Sequence, residues 1–107
     1  MHEFNLKTHR HTEFVTIDRQ VQDAVDESGV QQGVVHVFIP HTTAGITINE
    51  NADPDVKEDM ELILDRVAPW EGGYAHAEGN AAAHVKASMM GFTATVLIDG
   101  GRIQLVV

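Results

Sequence analysis

The sequence contains no cysteine. That excludes a disulfide framework and a thiolate metal centre, and it fits a reducing, cytoplasmic setting. Basic residues are scarce as well: seven Lys and Arg against sixteen Asp and Glu leave a formal charge of −9 and a pI near 5.0. Affinity for nucleic acid rests mainly on Lys and Arg contacts to phosphate, so no nucleic-acid partner is expected. No window approaches the roughly 20 apolar residues of a membrane-spanning helix. The opening MHEFNLKTHRH has no apolar run that reads as a secretion signal, and no membrane partner is expected. GxSxG, Walker, GxGxxG and HExxH patterns are all missing, so nothing points to a nucleophile elbow, a phosphate loop, a dinucleotide fold or a zincin helix.

What is present suits one globular domain spanning residues 1–107, with 43 % hydrophobic and 21 % charged residues. Only three prolines occur, and each marks a boundary. Pro40 stands where two extended segments join, Pro54 takes the first position of a helix capped by Asp53, and Pro69 ends that helix. Within it Val56, Met60, Ile63, Leu64 and Val67 make an apolar stripe. An earlier helix is expected from Asp18, as N-cap, to a stop at Gly29, and a third from Asn80 to a stop at Gly91. Residues 3–9 and 13–17 read as two short paired strands. GVVHVFIP is nearly all apolar and reads as a strand buried on both faces. Phe92 to Ile98 and Ile103 to Val107 alternate as strands around the turn DGG. The order β-β-α-β-β-α-α-β-β argues for an α+β fold, a mixed and largely antiparallel sheet with helices packed on it.

HTTAGITINEN, His41–Asn51, carries the chemistry. Read as a strand, it sends Thr42, Ala44, Ile46 and Ile48 to the core and His41, Thr43, Gly45, Thr47 and Asn49 to the other face. That second face suits a polar cleft. Thr43, Thr47 and Asn49 offer neutral hydrogen bonds to phosphate or sugar oxygens, and Gly45 lets a ligand or another backbone approach. The plainer alternative is a solvated face on which threonine satisfies β propensity.

Seven histidines are unusual in so short a chain. His2, His9 and His11 lie near the terminus and read as solvated, and His36 reads as a hydrogen-bonded structural residue within a strand. His41, His76 and His84 each sit at an element boundary or beside a glycine-rich loop. Three imidazoles with an open fourth position can hold a catalytic zinc ion, although these spacings match no short-loop motif. Among the carboxylates, Asp53 and Asp55 are explained by capping and the helix dipole. Glu78 has no such role, so it is the candidate acid/base or the group that orients a histidine, with simple exposure as the alternative. Lys86 lies about 200° around the helix from His84, but its stem is long enough to reach a substrate round the helix edge.

HTTAGITINENADPDV, YAHAEGNAAAHVKASMMG and DGGRIQLVV, in that order and spacing, resemble the YjbQ-like family, whose members are known as secondary thiamine-phosphate synthases. The resemblance runs over residues 33–107. It implies a homotrimer of α+β protomers. It implies a divalent metal, zinc first and magnesium as the alternative for diphosphate chemistry, held by His41, His76 and His84. The implied partner is a phosphorylated small molecule. The implied reaction is metal-dependent transfer: hydroxymethylpyrimidine diphosphate is coupled to a thiazole phosphate with release of pyrophosphate, as a weak side activity. A metal-dependent hydrolase and a non-catalytic metal- or ligand-binding trimer are the alternatives. Family members continue beyond LVV, so a final strand is expected to be missing after Val107.

Overall fold

The structure is a computed structural model, and it describes residues 1–105. The elements follow the order α1 (Asp18–Ser28), β1 (Gln32–Phe38), α2 (Pro54–Val67), α3 (Ala81–Met90), β2 (Thr93–Asp99) and β3 (Arg102–Ile103). The fold is α+β. Its sheet has the order β1-β2-β3 and is antiparallel throughout among the described residues, so the expected mixed sheet is corrected to an antiparallel one.

Local chemistry explains the helix ends. Gly29 closes α1 at φ +74°, a left-handed conformation that glycine adopts without a Cβ penalty. The Asp53 side chain accepts a hydrogen bond from the Asp55 N–H at 2.9 Å, and Pro54 follows, as the sequence predicts. Asp18 is not the N-cap of α1. Ile17 holds that position without a side-chain bond, and Asp18 lies in the first turn.

The sheet has one covered face and one open one. β1 and β2 align Val35 with Val96 and Val37 with Ala94, and Val96 and Ile98 are buried. Between these pairs, Val34 faces Leu97 and His36 faces Thr95 on the opposite face. Val34, Phe38, Phe92 and Leu97 are exposed, so β1 is not buried on both faces within one protomer. The helical part of the core is small, with Val21 and Val25 of α1, Leu64 of α2, and Ala82 and Ala87 of α3 buried. Of the stripe on α2, Leu64 is buried, Val56 and Met60 are half-buried, and Ile63 and Val67 are exposed. The radius of gyration is 15.6 Å, against about 13 Å for a compact chain of this length.

Two expected strand regions are irregular. Residues 3–9 and 13–17 form no ladder. The start of the chain is held by side chains instead: Arg10 makes a two-pronged pair with Glu61 at 2.9 and 3.2 Å, and Thr12 donates to Asp65 at 2.7 Å. HTTAGITINEN is likewise no strand. A strand needs a neighbour to take its backbone hydrogen bonds. Here Ile39 N–H donates to the Phe92 carbonyl at 2.8 Å and Ile46 N–H to the Gly91 carbonyl at 3.0 Å, so residues 40–45 form a loop pinned at both ends to the α3–β2 junction. Of the residues assigned to the core, only Ile46 is half-buried; Thr42, Ala44 and Ile48 are exposed. The last expected strand is seen as Arg102–Ile103, entered through Gly100 and Gly101 at φ +59° and +77°. Gln104 and Leu105 follow without strand structure, although the Gln104 N–H still donates to the Leu97 carbonyl at 2.9 Å, and the expected continuation over residues 106–107 lies outside the described residues.

Candidate functional site

The first turn of α3 and the loop before it bring two of the three candidate histidines together. His76 opens a tight turn in which its carbonyl accepts from the Gly79 N–H at 3.2 Å. Gly79, at φ +74°, takes a conformation that would strain other residues and turns the chain into α3. Asn80 precedes the helix, and its carbonyl accepts from the N–H groups of Ala83 and His84. His84 thus stands one turn inside α3, half-buried, and its ring meets that of His76 edge to face with centroids 5.2 Å apart. Glu78 lies in the turn between them and is exposed.

Asn80 was expected to cap α3, but its side chain makes no capping bond. Its Oδ1 is buried and has no hydrogen-bond partner. An unpaired buried acceptor is costly, and most such groups in native proteins have a partner.

His41 leaves β1 at the other end of the helix. It is exposed in the pinned loop beside residues 91 and 92 and is not in the His76–His84 pair. No three His, Asp or Glu side chains come together as a metal-holding group among the described residues. The pair itself does suit a shared ion. With metal–nitrogen bonds of about 2.0–2.1 Å and a tetrahedral angle, two imidazole centroids stand roughly 5 Å apart.

The other candidates are dispersed. Thr43 is exposed in the pinned loop. Thr47 lines a narrow groove with Val21, Val37 and Val96, and Asn49 uses its side-chain oxygen to accept from the Glu50 N–H at 2.7 Å. Gly45 does meet another backbone. A Cβ there would lie 2.9 Å from the carbonyl oxygens of both Ala87 and Gly91 and 2.8 Å from Met90 Cβ.

Lys86 is buried, 8 % exposed, and its ammonium donates to Asp65 and, at 2.6 Å, to Thr12. The hydrogen bond from Lys86, followed by that from Thr12, holds the Asp65 carboxyl below its ordinary value. The sequence gives a faint sign of this triad, since Lys86 is the only formally charged side chain in AAAHVKASMM. Nothing in the sequence announces the stacking of His11 on Trp70, with centroids 3.8 Å apart and planes inclined by 17°.

The chain matches the family described as UPF0047 protein YjbQ-like over residues 2–106. It is 48 % identical over 101 residues to the UPF0047 protein YugU of Bacillus subtilis, covering 94 % of this chain and 76 % of that protein. A UPF0047 protein of Methanocaldococcus jannaschii is 42 % identical over 99 residues, covering 92 % and 72 %. In three dimensions it is similar to the crystal structure of an uncharacterised conserved protein of the YjbQ/UPF0047 family from Clostridium acetobutylicum, with a TM-score of 0.91 and 53 % identity over 95 % of this chain and 79 % of that one. A hypothetical protein from Aeropyrum pernix is similar at a TM-score of 0.88 and 28 % identity, covering 96 % and 78 %. The sequence motifs, the fold and these likenesses agree that the chain belongs to the YjbQ/UPF0047 family.

Proposed function

We propose that the protein is a metal-dependent enzyme acting on a phosphorylated small molecule, with thiamine-phosphate synthase-like transfer as a weak side activity. The observation that carries this reading is the 5.2 Å edge-to-face pair of His76 and His84 beside a glycine turn. Zinc is the preferred ion, and magnesium the alternative for diphosphate chemistry. His76 and His84 would hold it, and His41, which lies at the other end of α3 in this structure, would have to swing in with its loop to serve as the third ligand. A divalent ion held there would supply positive charge to a departing pyrophosphate. Glu78, in the turn between the two rings, would give a proton to the departing pyrophosphate or orient a histidine, because alkylation of the thiazole nitrogen itself releases none. Thr43, Thr47 and Asn49 are the substrate contacts in this proposal; Lys86, the fourth candidate, is buried and held by Asp65 and Thr12, and a substrate role would break that tie.

A homotrimer is part of the same reading. Two observations support association: the exposed apolar side chains of Val34, Phe38 and Leu97 on one face of the sheet, and a radius of gyration larger than that of a compact chain of this length. The test combines metal analysis, light scattering and a pyrophosphate-release assay. The expected results are bound zinc lost in His84→Ala, a mass three times that of the chain, and turnover reduced by roughly 10²–10⁴-fold in Glu78→Gln. Failure of the native chain to take up zinc or magnesium ends the metal reading. A monomer mass ends the trimer, and full turnover in Glu78→Gln removes that residue from the chemistry.

A further inference from the structure

The two segments that carry His76 and His84 are both touched by one short piece of chain near the N-terminus. Arg10 is fastened to α2 through Glu61, and the Phe14 N–H donates to the same carboxylate at 3.2 Å. Between these two anchors, His11 and Thr12 reach in different directions. The His11 ring lies flat on Trp70. Trp70 opens the loop to His76, and that loop is folded on itself, because the Tyr74 hydroxyl donates to the Pro69 carbonyl at 2.6 Å. Thr12 meets Asp65 on α2 and the Lys86 ammonium on α3, two residues beyond His84.

Each contact alone has an ordinary structural reading. Together they form two arms from a common base. One arm runs from His11 through Trp70 and the closed loop to His76. The other runs from Thr12 through Lys86 to the helix bearing His84. The first turn of α3 is not fixed by a side-chain cap of its own. Buried Lys86 is therefore a principal polar tie between α3 and the neighbouring segments. A buried ammonium strongly disfavours any shift that separates it from its partners, so the tie resists rotation and sliding of the helix.

We propose that Arg10–Thr12 is a strap that sets the spacing between His76 and His84, with Lys86 and Trp70 as the positioning residues through which it acts. The strap touches neither imidazole. It fixes the two supports on which they stand, and a ligand that must bridge the rings depends on that setting.

The proposal rests on the reading of His76 and His84 as a ligand pair, and the test separates the two. The imidazole nitrogen–proton spectra of the seven histidines are recorded on the whole chain without metal. Lys86→Met, which retains an apolar stem, and Thr12→Val are expected to displace the His84 signals. His11→Ala is expected to displace those of His76, and Arg10→Ala both, while His36 on the sheet stays in place. Zinc titration of the same variants should then show affinity reduced by about 10–100-fold, the range for groups that orient a ligand from behind. Trp70 is the only tryptophan, so its emission reports independently whether the strap has left. Altered Trp70 emission with unmoved His76 and His84 signals overturns the proposal. So does equal displacement of all seven histidines, which would mean general loosening. If the native chain binds no zinc but the two rings move as expected, the strap stands and the metal reading falls.

Discussion

The helices α2 and α3 begin in opposite ways. α2 is secured at its first turn, where Asp53 accepts from the Asp55 N–H and Pro54 presets the backbone. α3 begins at Asn80, whose side-chain oxygen is buried without a partner and caps nothing. Its fixed end is the other one, where Gly45 presses against the Ala87 and Gly91 carbonyls and Ile46 bonds to Gly91. The contrast explains why the histidine pair occurs where it does. A helix start used for capping has little left to offer a ligand. The start of α3 leaves the Asn80 side-chain oxygen unused, and its position is imposed from outside.

The largest expected effect attacks the fixed end of α3. Gly45→Ala would place a methyl 2.9 Å from two backbone carbonyl oxygens, neither of which can rotate away. A cost of about 1–3 kcal/mol is expected, as for overpacked sites, and thermal unfolding followed by circular dichroism checks it. An unchanged midpoint would show that the pinned loop does not hold the helix. Asp53→Ala, at the secured start of α2, should cost about 1 kcal/mol. That corresponds to roughly 4–8 °C in a domain of this size.

The next effect depends on pH. The folded state holds the Asp65 carboxyl below its ordinary value of 3.8, through Lys86 first and Thr12 second. The unfolded chain therefore binds that proton more readily. The resulting stability is fully present above the ordinary value and is lost as pH falls through it toward the folded one. Asp65 is half exposed, so the contribution is modest. In Lys86→Met the loss between about pH 5 and pH 3 should be shallower, as read from urea midpoints. An identical acid slope would mean that the pair contributes nothing. The smallest effect is expected at the loose start of α3. Asn80→Ala removes a buried acceptor that bonds to nothing, so stability should change by no more than about 0.5 kcal/mol or rise. A loss equal to that of Asp53→Ala would make the two helix starts alike and end the comparison.

Legibility in the sequence followed the range of the interactions. Gly29, Asp53 with Pro54, Gly91 and the turn at Gly100–Gly101 act on their immediate neighbours, and each was read in its place. Capping by Asp18 and Asn80 was misread because residue type permits a cap but the backbone angle at that point decides it. HTTAGITINEN was misread for a different reason. Its alternation is that of a strand, but no strand among the described residues receives it, and a loop bound at Ile39 and Ile46 resulted. At the candidate site, the meeting of His76 with His84 was legible because a short turn joins their segments. The pairings of Lys86 with Asp65 and of His11 with Trp70 join distant parts of the chain, and no local pattern encodes them.

The pairing of β1 with β2 has a consequence for synthesis. Phe38 meets Thr93 and Gln32 meets Asp99, so the central ladder joins segments about 55–67 residues apart. The β2–β3 pairing closes locally, through two glycines. At roughly 5–20 residues per second on a ribosome, β1 waits about 3–13 seconds for its partner to be made. During that wait the backbone bonds of β1 to β2 are unmade and the apolar side chains of Val34, Val35, Val37 and Phe38 have no sheet to join. Non-local pairing of this kind slows folding because the loop entropy is lost before the contacts are gained. Until β2 is made the nascent chain therefore carries an unpaired, aggregation-prone strand, and chaperone dependence of its yield should follow the exposure of that strand.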